Sequence, residues 1–181
     1  MTNYYYTEEV SRCIYDELNE HLPHDLVHSI HQCDFAMLAN PETLSDQVPC
    51  VVVESLDALH EWANYSLGIL YSRYKVCILY AYPYTYQKPN EQETKQARQV
   101  VDLISSILNK LNPLENRAVV LRHDELDTGG VIHFVNVVSS GLESGATHLF
   151  SDLDLPVAVG VVNVEIDFRT LGRGHYDKSN S

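Results

Sequence analysis

The residues best suited to chemistry are three histidines near the N-terminus, His24, His28 and His31, with Cys33 two residues further on. A short helix over residues 25–31 would place the three histidines on one face. Two histidines four residues apart can bind zinc from one helix. The segment lacks the acidic residue of a His-Glu-x-x-His motif and has no cysteine pair nearby. A solvated polar face is therefore the favoured interpretation, and no metal and no other cofactor is predicted.

A second candidate site is the acidic group Asp124, Glu125 and Asp127, which follows His123. These residues could bind a metal or transfer protons, but a charged turn between two strands explains them without any catalysis and is strongly favoured. The chain has no Gly-x-Ser-x-Gly elbow, no phosphate-binding Gly-Lys-Ser/Thr loop and no dinucleotide-binding Gly-x-Gly-x-x-Gly fingerprint. We therefore predict no catalytic residues and a protein that is not an enzyme. A small metal-dependent enzyme is the less favoured alternative, supported only by the histidines.

Size and composition indicate one soluble domain. A chain of 181 residues can bury a sufficient core without disulfides or metals. The net charge of −13 disfavours direct DNA binding, because an acidic surface gains nothing from releasing phosphate counterions. Four widely spaced cysteines in apolar segments favour reduced, cytoplasmic synthesis, and neither a signal peptide nor an apolar run of membrane-spanning length is evident. Twelve tyrosines favour an interaction protein, because tyrosine tolerates a partly hydrated contact surface.

Helical periodicity is strongest after Asn90, which with Glu93 forms a potential capping box. The apolar stripe of this helix of about 20 residues is Ala97, Val101, Ile104, Leu108 and Leu111. A second amphipathic helix is predicted over residues 8–22, with Thr7 as its N-cap. These two helices and the short one over residues 25–31 must pack on whatever sheet the rest of the chain forms.

Strand patterns account for most of the remaining chain, and the clearest alternation of apolar and polar residues lies in residues 157–168. The predicted strands cover residues 49–54, 69–82, 118–123, 131–138 and 157–168. Residues 55–68 are ambiguous, with a possible helical turn at residues 57–62. The predicted fold class is α+β, with a mostly antiparallel sheet, amphipathic helices packed on one face, and a long hairpin near the C-terminus. We predict a single domain over residues 1–170 and a flexible tail over residues 171–181.

The connection predicted over residues 139–155 is longer than a hairpin requires. We interpret it as an arm that contacts another subunit or a partner protein, because its apolar residues lie among acids and glycines. The candidate interface residues are Leu142, Glu143, Leu149, Phe150 and Leu153. Glu165 and Asp167, on the polar side of the last strand, are candidate acids facing the lumen of a ring, where they would repel passing DNA.

The order of elements resembles that of the tail terminator proteins, the head–tail joining proteins of long-tailed bacteriophages. The resemblance covers residues 7–170. It rests on an N-terminal amphipathic helix, the segments Val48-Pro49-Cys50-Val51-Val52-Val53 and Arg73-Tyr74-Lys75-Val76-Cys77-Ile78-Leu79-Tyr80, a long helix, and a closing hairpin that ends with residues 157–168. It is a similarity of pattern and length, without an invariant motif.

The resemblance implies a structural virion protein of the tail or neck, assembled in the host cytoplasm. Such a protein forms a homo-oligomer, a hexameric ring, that caps the tail tube and joins it to the head connector or stopper protein. Tube proteins and sheath proteins would be its partners, DNA would pass without specific binding, and no membrane would be involved. Another neck component, either a stopper or a head completion protein, is the closest alternative. A monomeric binding module that uses the sheet face is a third possibility.

Overall fold

The computed structural model describes residues 6–34, 47–64, 69–84, 89–110, 117–123, 126–143 and 157–170. Within these ranges the chain forms two helices and a single six-stranded sheet. The elements are α1 (Thr7–His21), β1 (Ser29–Gln32), β2 (Cys50–Asn64), β3 (Ile69–Pro83), α2 (Glu91–Lys110), β4 (Arg117–His123), β5 (Leu126–Glu143) and β6 (Val157–Thr170). The predicted α+β class is confirmed. The predicted tail, residues 171–181, lies outside the described residues.

The strands are arranged in the order β1-β2-β3-β6-β5-β4. All neighbouring pairs are antiparallel except β1 and β2, which run parallel. The last strand, β6, lies in the middle of the sheet and joins the hairpin β2–β3 to the pair β4–β5. The predicted mostly antiparallel sheet is therefore present, and both of its longest predicted strands lie at its centre.

Helix α2 is the element that the sequence predicted best. The backbone N–H of Asn90 donates to Glu93 Oε2 and the N–H of Glu93 donates to Asn90 Oδ1, each at 2.8 Å, so the capping box is confirmed. Val101 lies so close to Gly160 of β6 that a Cβ there would collide with it. The stripe residues within the helix, Ala97, Val101, Ile104 and Leu108, are buried. Leu111 lies outside the described residues.

Helix α1 packs on the same face of the sheet through Val10, Ile14 and Leu18, which are fully buried. Thr7 is the first helical residue rather than the N-cap, so the predicted capping role is wrong. Tyr6 precedes the helix and anchors it: its backbone N–H donates to the Tyr74 hydroxyl at 3.0 Å, and its ring packs 4.8 Å from that of Phe168. The helix is therefore fixed by contacts to β3 and β6 rather than by a polar cap.

The alternation predicted for the two central strands is confirmed. In β3, Tyr74, Val76, Ile78, Tyr80 and Tyr82 belong to the core beneath the helices. In β6, Val162, Val164, Ile166 and Phe168 join the same core, while Asn163, Glu165 and Asp167 point the other way and are half-buried. Burial of this large apolar set provides the main stabilisation of the fold.

The prediction of a helix over residues 25–31 is wrong, because this segment forms a turn followed by β1. The predicted strand over residues 49–54 continues to residue 64, so the possible helical turn at residues 57–62 is also wrong. Two irregularities in the pairing of β2 with β3 obscure the alternation there. The predicted turn at Asp127 and the loop expected from Ser139 onward are both parts of β5, which is longer at each end than predicted.

Candidate contact surfaces on the sheet

The sheet face opposite the helices is divided into two halves of different chemistry. One half, which we call the apolar half, consists of buried apolar residues: Val48, Cys50, Val52, Cys77, Leu79, Ala81, Val157 and Val159. Burial raises the pKa of the Cys50 thiol to about 12, so this thiol stays protonated and acts as a small apolar group. None of the four cysteines, all of which lie within the described residues, is part of a disulfide.

The other half of the same face carries charges, and we call it the charged half. Its charged residues are Arg73, Lys75, Glu165 and Asp167. Register pairs place Lys75 of β3 beside Glu165 of β6, and Arg73 beside Asp167. The Arg73 Nε–H donates to Asp167 Oδ1 at 2.8 Å, with both side chains about half exposed. The two bases stand on β3 and the two acids on β6, so these four charges balance although the chain as a whole is strongly acidic.

Three large apolar side chains stand exposed around this ion pair. Leu59 of β2 is 60% exposed, Phe134 of β5 is 45% exposed and Tyr71 of β3 is 44% exposed. Leu59, Arg73, Asp167 and Phe134 form one row across four strands by register. The guanidinium of Arg169 lies 5.7 Å from the centre of the Tyr71 ring, within range of a cation–π contact.

A shallow cavity of about 490 Å³ opens within the charged half. Its lining residues are Leu59, Tyr71, Ser72, Arg73, His133, Asp167 and Phe168. Apolar side chains around one charged pair form a surface that can both exclude water and orient a partner. Leu59, Tyr71 and Phe134 were not among the contact residues predicted from the sequence. Phe134 alternates with the inward-facing Val135, which indicates that it faces outward. The apolar residues near it, however, favoured a core position.

The two predicted lumen-facing acids lie in the charged half, on the sheet face opposite the helices. Asp167 is bonded to Arg73, and Glu165 lies opposite Lys75. The two acids are therefore brought together on one surface, but each stands next to a base. Whether this surface faces the lumen of a ring stays a prediction.

The predicted interface residues are only partly described. Leu142 lies in β5 and packs, half-buried, against the core beneath the helices, so it does not belong to an extended arm. Glu143 ends β5, where its backbone is paired with Val159. Leu149, Phe150 and Leu153 lie outside the described residues. The long connection therefore begins after Glu143, because the run Ser139-Ser140-Gly141, typical of a turn, is instead strand.

The three histidines considered as possible metal ligands do not share one helical face. His24 lies in a turn, while His31 lies in β1, where Nε2 is 2.8 Å from Ser29 Oγ. Burial lowers the pKa of His31. In the parts of the chain that the structure describes, no group of three or more His, Cys, Asp or Glu side chains has a geometry suited to a metal. Asp124 and Glu125 lie outside the described residues.

A second cavity, of about 450 Å³, lies between the start of α1 and the strands β1 and β2. Its lining residues are Glu8, Glu9, Ser11, Arg12, Gln32, Cys33, Asp34, Val53, Glu54 and Ser55. Burial raises the pKa of Glu9, with a further contribution from neighbouring Glu8. The amide of Gln32 donates to Glu8 O at 2.7 Å and to Ser11 Oγ at 2.8 Å, which fixes β1 to the helix.

No family model matches the chain, and no characterised protein matches it in sequence. Among the described helices, none has the length and apolar character needed to cross a bilayer.

Proposed function

We propose that this chain is a ring-forming structural protein of a bacteriophage tail, the terminator that caps the tail tube and connects it to the head. The resemblance in the order of elements supports this function, and the observed α+β fold with helices on one sheet face agrees with what that resemblance implies. The observation that carries the proposal is the group of exposed apolar side chains, Leu59, Tyr71 and Phe134, on the charged half of the sheet.

A surface of this composition suits contact with another protein. An exposed apolar group on a sheet face gains free energy when a partner removes it from water. The alternation of Arg73 and Lys75 with Asp167 and Glu165 offers both signs of charge to that partner. Such a surface fixes the register of a protein contact and gives little net attraction to phosphate. We assign it to contact with the tail tube or with a neighbouring subunit.

The proposed role of Glu165 and Asp167 as lumen acids needs to take their neighbours into account. Because Arg73 and Lys75 lie beside them, the two acids do not make this face strongly negative by themselves. In a ring, repulsion of DNA would come mainly from the net charge of −13 on every subunit. DNA would then pass without specific binding, as proposed.

The proposal is tested by mass and by attachment. Light scattering of the purified chain is expected to give a species near six times 20.5 kDa, and negative-stain images should show rings. Added to tail tubes of the phage that encodes it, the protein should decorate one tube end. A protein that stays monomeric at high concentration and binds no tube contradicts the proposal. A protein that binds the head connector but not the tube is instead a stopper or head completion protein.

A matched pair of variants connects this test to the surface. Leu59→Ser with Phe134→Ser removes two exposed apolar groups from the charged half, and we expect tube decoration to fall at least tenfold. Leu26→Ser is the control, because Leu26 is also exposed, at 40%, but lies in the turn before β1 and belongs to no strand. Equal decoration by both variants would remove the charged half from the contact.

A further inference from the structure

The two lateral edges of the sheet differ in shape. On one side, β4 pairs with residues 126–132 of β5. Within the described residues, no strand pairs with the outer edge of β5 from residue 133 to residue 143. This leaves a notch, which we define as the outer edge of residues 140–143. On the other side, β1 pairs with residues 50–53 of β2 and forms a short outermost strand.

The notch and β1 lie at the same level along the strand direction, which we call the height. Register pairs connect His31 to Val52, Val52 to Leu79, Leu79 to Val161, and Val161 to Gly141. The same succession connects Ile30 to Leu142 and Gln32 to Ser140. A second copy placed beside the first, in the same orientation and without a vertical shift, therefore brings its β1 against the notch.

The strand directions are also compatible. Strands β1, β2 and β6 run one way, and β3 and β5 run the other way. The β1 strand of the second copy would consequently run antiparallel to β5. The pairs expected from height alone, Ile30 with Leu142, His31 with Gly141 and Gln32 with Ser140, follow one antiparallel register.

The side chains agree with this register. Ile30 and Leu142 are both half-buried against the core beneath the helices, so they would meet on the same face. His31 would lie opposite Gly141, where an added Cβ meets nothing within 4 Å, so there is room for the imidazole ring. A slip by one residue would reverse both matches, because it would turn every side chain of β1 to the other face.

The notch is accessible to a partner strand. Ser140 and Gly141, which form part of it, are exposed. From Phe134 to Leu142 the chain has neither charged residues nor proline, the usual protection of an exposed edge.

We propose that β1 of one subunit adds to the notch in β5 of the next, so that the sheet continues from copy to copy. The contact is head-to-tail and is repeated around a closed ring. The inference specifies how the subunits of the proposed ring join, and so it rests on that function. It differs from the predicted arm, because the contact is made by backbone groups within the folded sheet.

Disulfide trapping tests the contact directly. We would combine His31→Cys and Gly141→Cys in a chain whose half-buried cysteines are removed by Cys13→Ala and Cys33→Ala; Cys50 and Cys77 are buried. Four strand spacings, about 19 Å, separate the two positions within one subunit. A disulfide requires Cα atoms within about 7 Å, so it can form only between subunits. Mild oxidation is expected to give a ladder of linked chains on a denaturing gel.

Two control variants define the register and the symmetry. His31→Cys with Phe134→Cys keeps the same strands and the same face, but moves one thiol by seven residues, about 23 Å, and should give no ladder. Gly141→Cys alone should give no linked dimer. A dimer from that single variant would show that two β5 strands pair with each other, and it would overturn the proposal. Equal ladders from both double variants would overturn the register.

A charged variant provides a second measurement that does not depend on oxidation. Gly141→Glu places a charge on the notch, at a position where an added Cβ meets nothing within 4 Å in the same subunit. We expect native circular dichroism with at least a tenfold weaker assembly. Rings of the unmodified chain without any ladder in the His31/Gly141 variant would overturn the contact and leave the ring function standing. A ladder from a protein that binds no tube would support the contact and contradict the terminator function.

Discussion

The two faces of the central sheet differ in composition, although the same strands contribute to both. Beneath the helices, β3 and β6 contribute to one continuous core that includes Tyr74, Ile78 and Ile166. On the opposite face, the same strands contribute to the apolar half at one end and the charged half at the other. Strand sequence therefore does not by itself identify a contact surface. The informative feature is the point at which the residues facing away from the helices change from apolar to polar. In β6 this change occurs between Val161 and Asn163.

This comparison predicts that the helix-covered face carries most of the stability. Ile104 of α2 is fully buried in its core. Ile104→Ala should lower the free energy of unfolding by an amount in the upper part of the range of about 2–5 kcal/mol, because it removes buried groups and leaves a cavity. Denaturant unfolding measures the loss. A loss under about 0.5 kcal/mol would mean that α2 is not fixed by this core.

The two halves of the opposite face can be compared with one matched pair of leucines. Leu79, in the apolar half, is 8% exposed, whereas Leu59, in the charged half, is 60% exposed. Leu79→Ala should cost about 2 kcal/mol in the free energy of unfolding. Leu59→Ala should stay within about 0.5 kcal/mol of the parent chain. Similar losses from both variants would show that the distinction between the halves is not energetic.

The smallest effect is expected for the ion pair of the charged half. A double-mutant cycle on Arg73→Ala and Asp167→Ala should give a coupling of about 0.2–1 kcal/mol, because both side chains are about half exposed and water screens their charges. The coupling should decrease as salt is added. A coupling above about 2 kcal/mol would show that the pair is shielded from water.

Strong local signals made part of this fold predictable. The capping box at Asn90 and the stripe through Ile104 determine α2 with little help from the rest of the chain. The long alternating runs in β3 and β6 are similarly clear, because each has one face beneath the helices. The fold class followed from these three elements together with the helix after Tyr6.

The remaining elements depend on partners that are distant in sequence. β1 has only four residues, and the spacing of His31 from His24 and His28, which precede the strand, also fits a helix, so only its pairing with β2 makes it a strand. Ser139, Ser140 and Gly141 are typical of turns, yet β6 keeps them in β5. The candidate surface was recognised only at Glu165 and Asp167, because the apolar members of the charged half come from three other strands.

The position of β6 has a consequence for how this protein is made. Tyr71 pairs with Arg169, so the middle of the sheet cannot close until the ribosome has synthesised β6, about 100 residues after β3 begins. Until then, the hairpin β2–β3 and the pair β4–β5 have no strand between them, and each has a bare inner edge. Pairings between such distant residues form slowly, and bare edges attract other unfinished chains. The vulnerable period of this protein is therefore its own synthesis, when many nascent copies crowd together before any of them has its central strand.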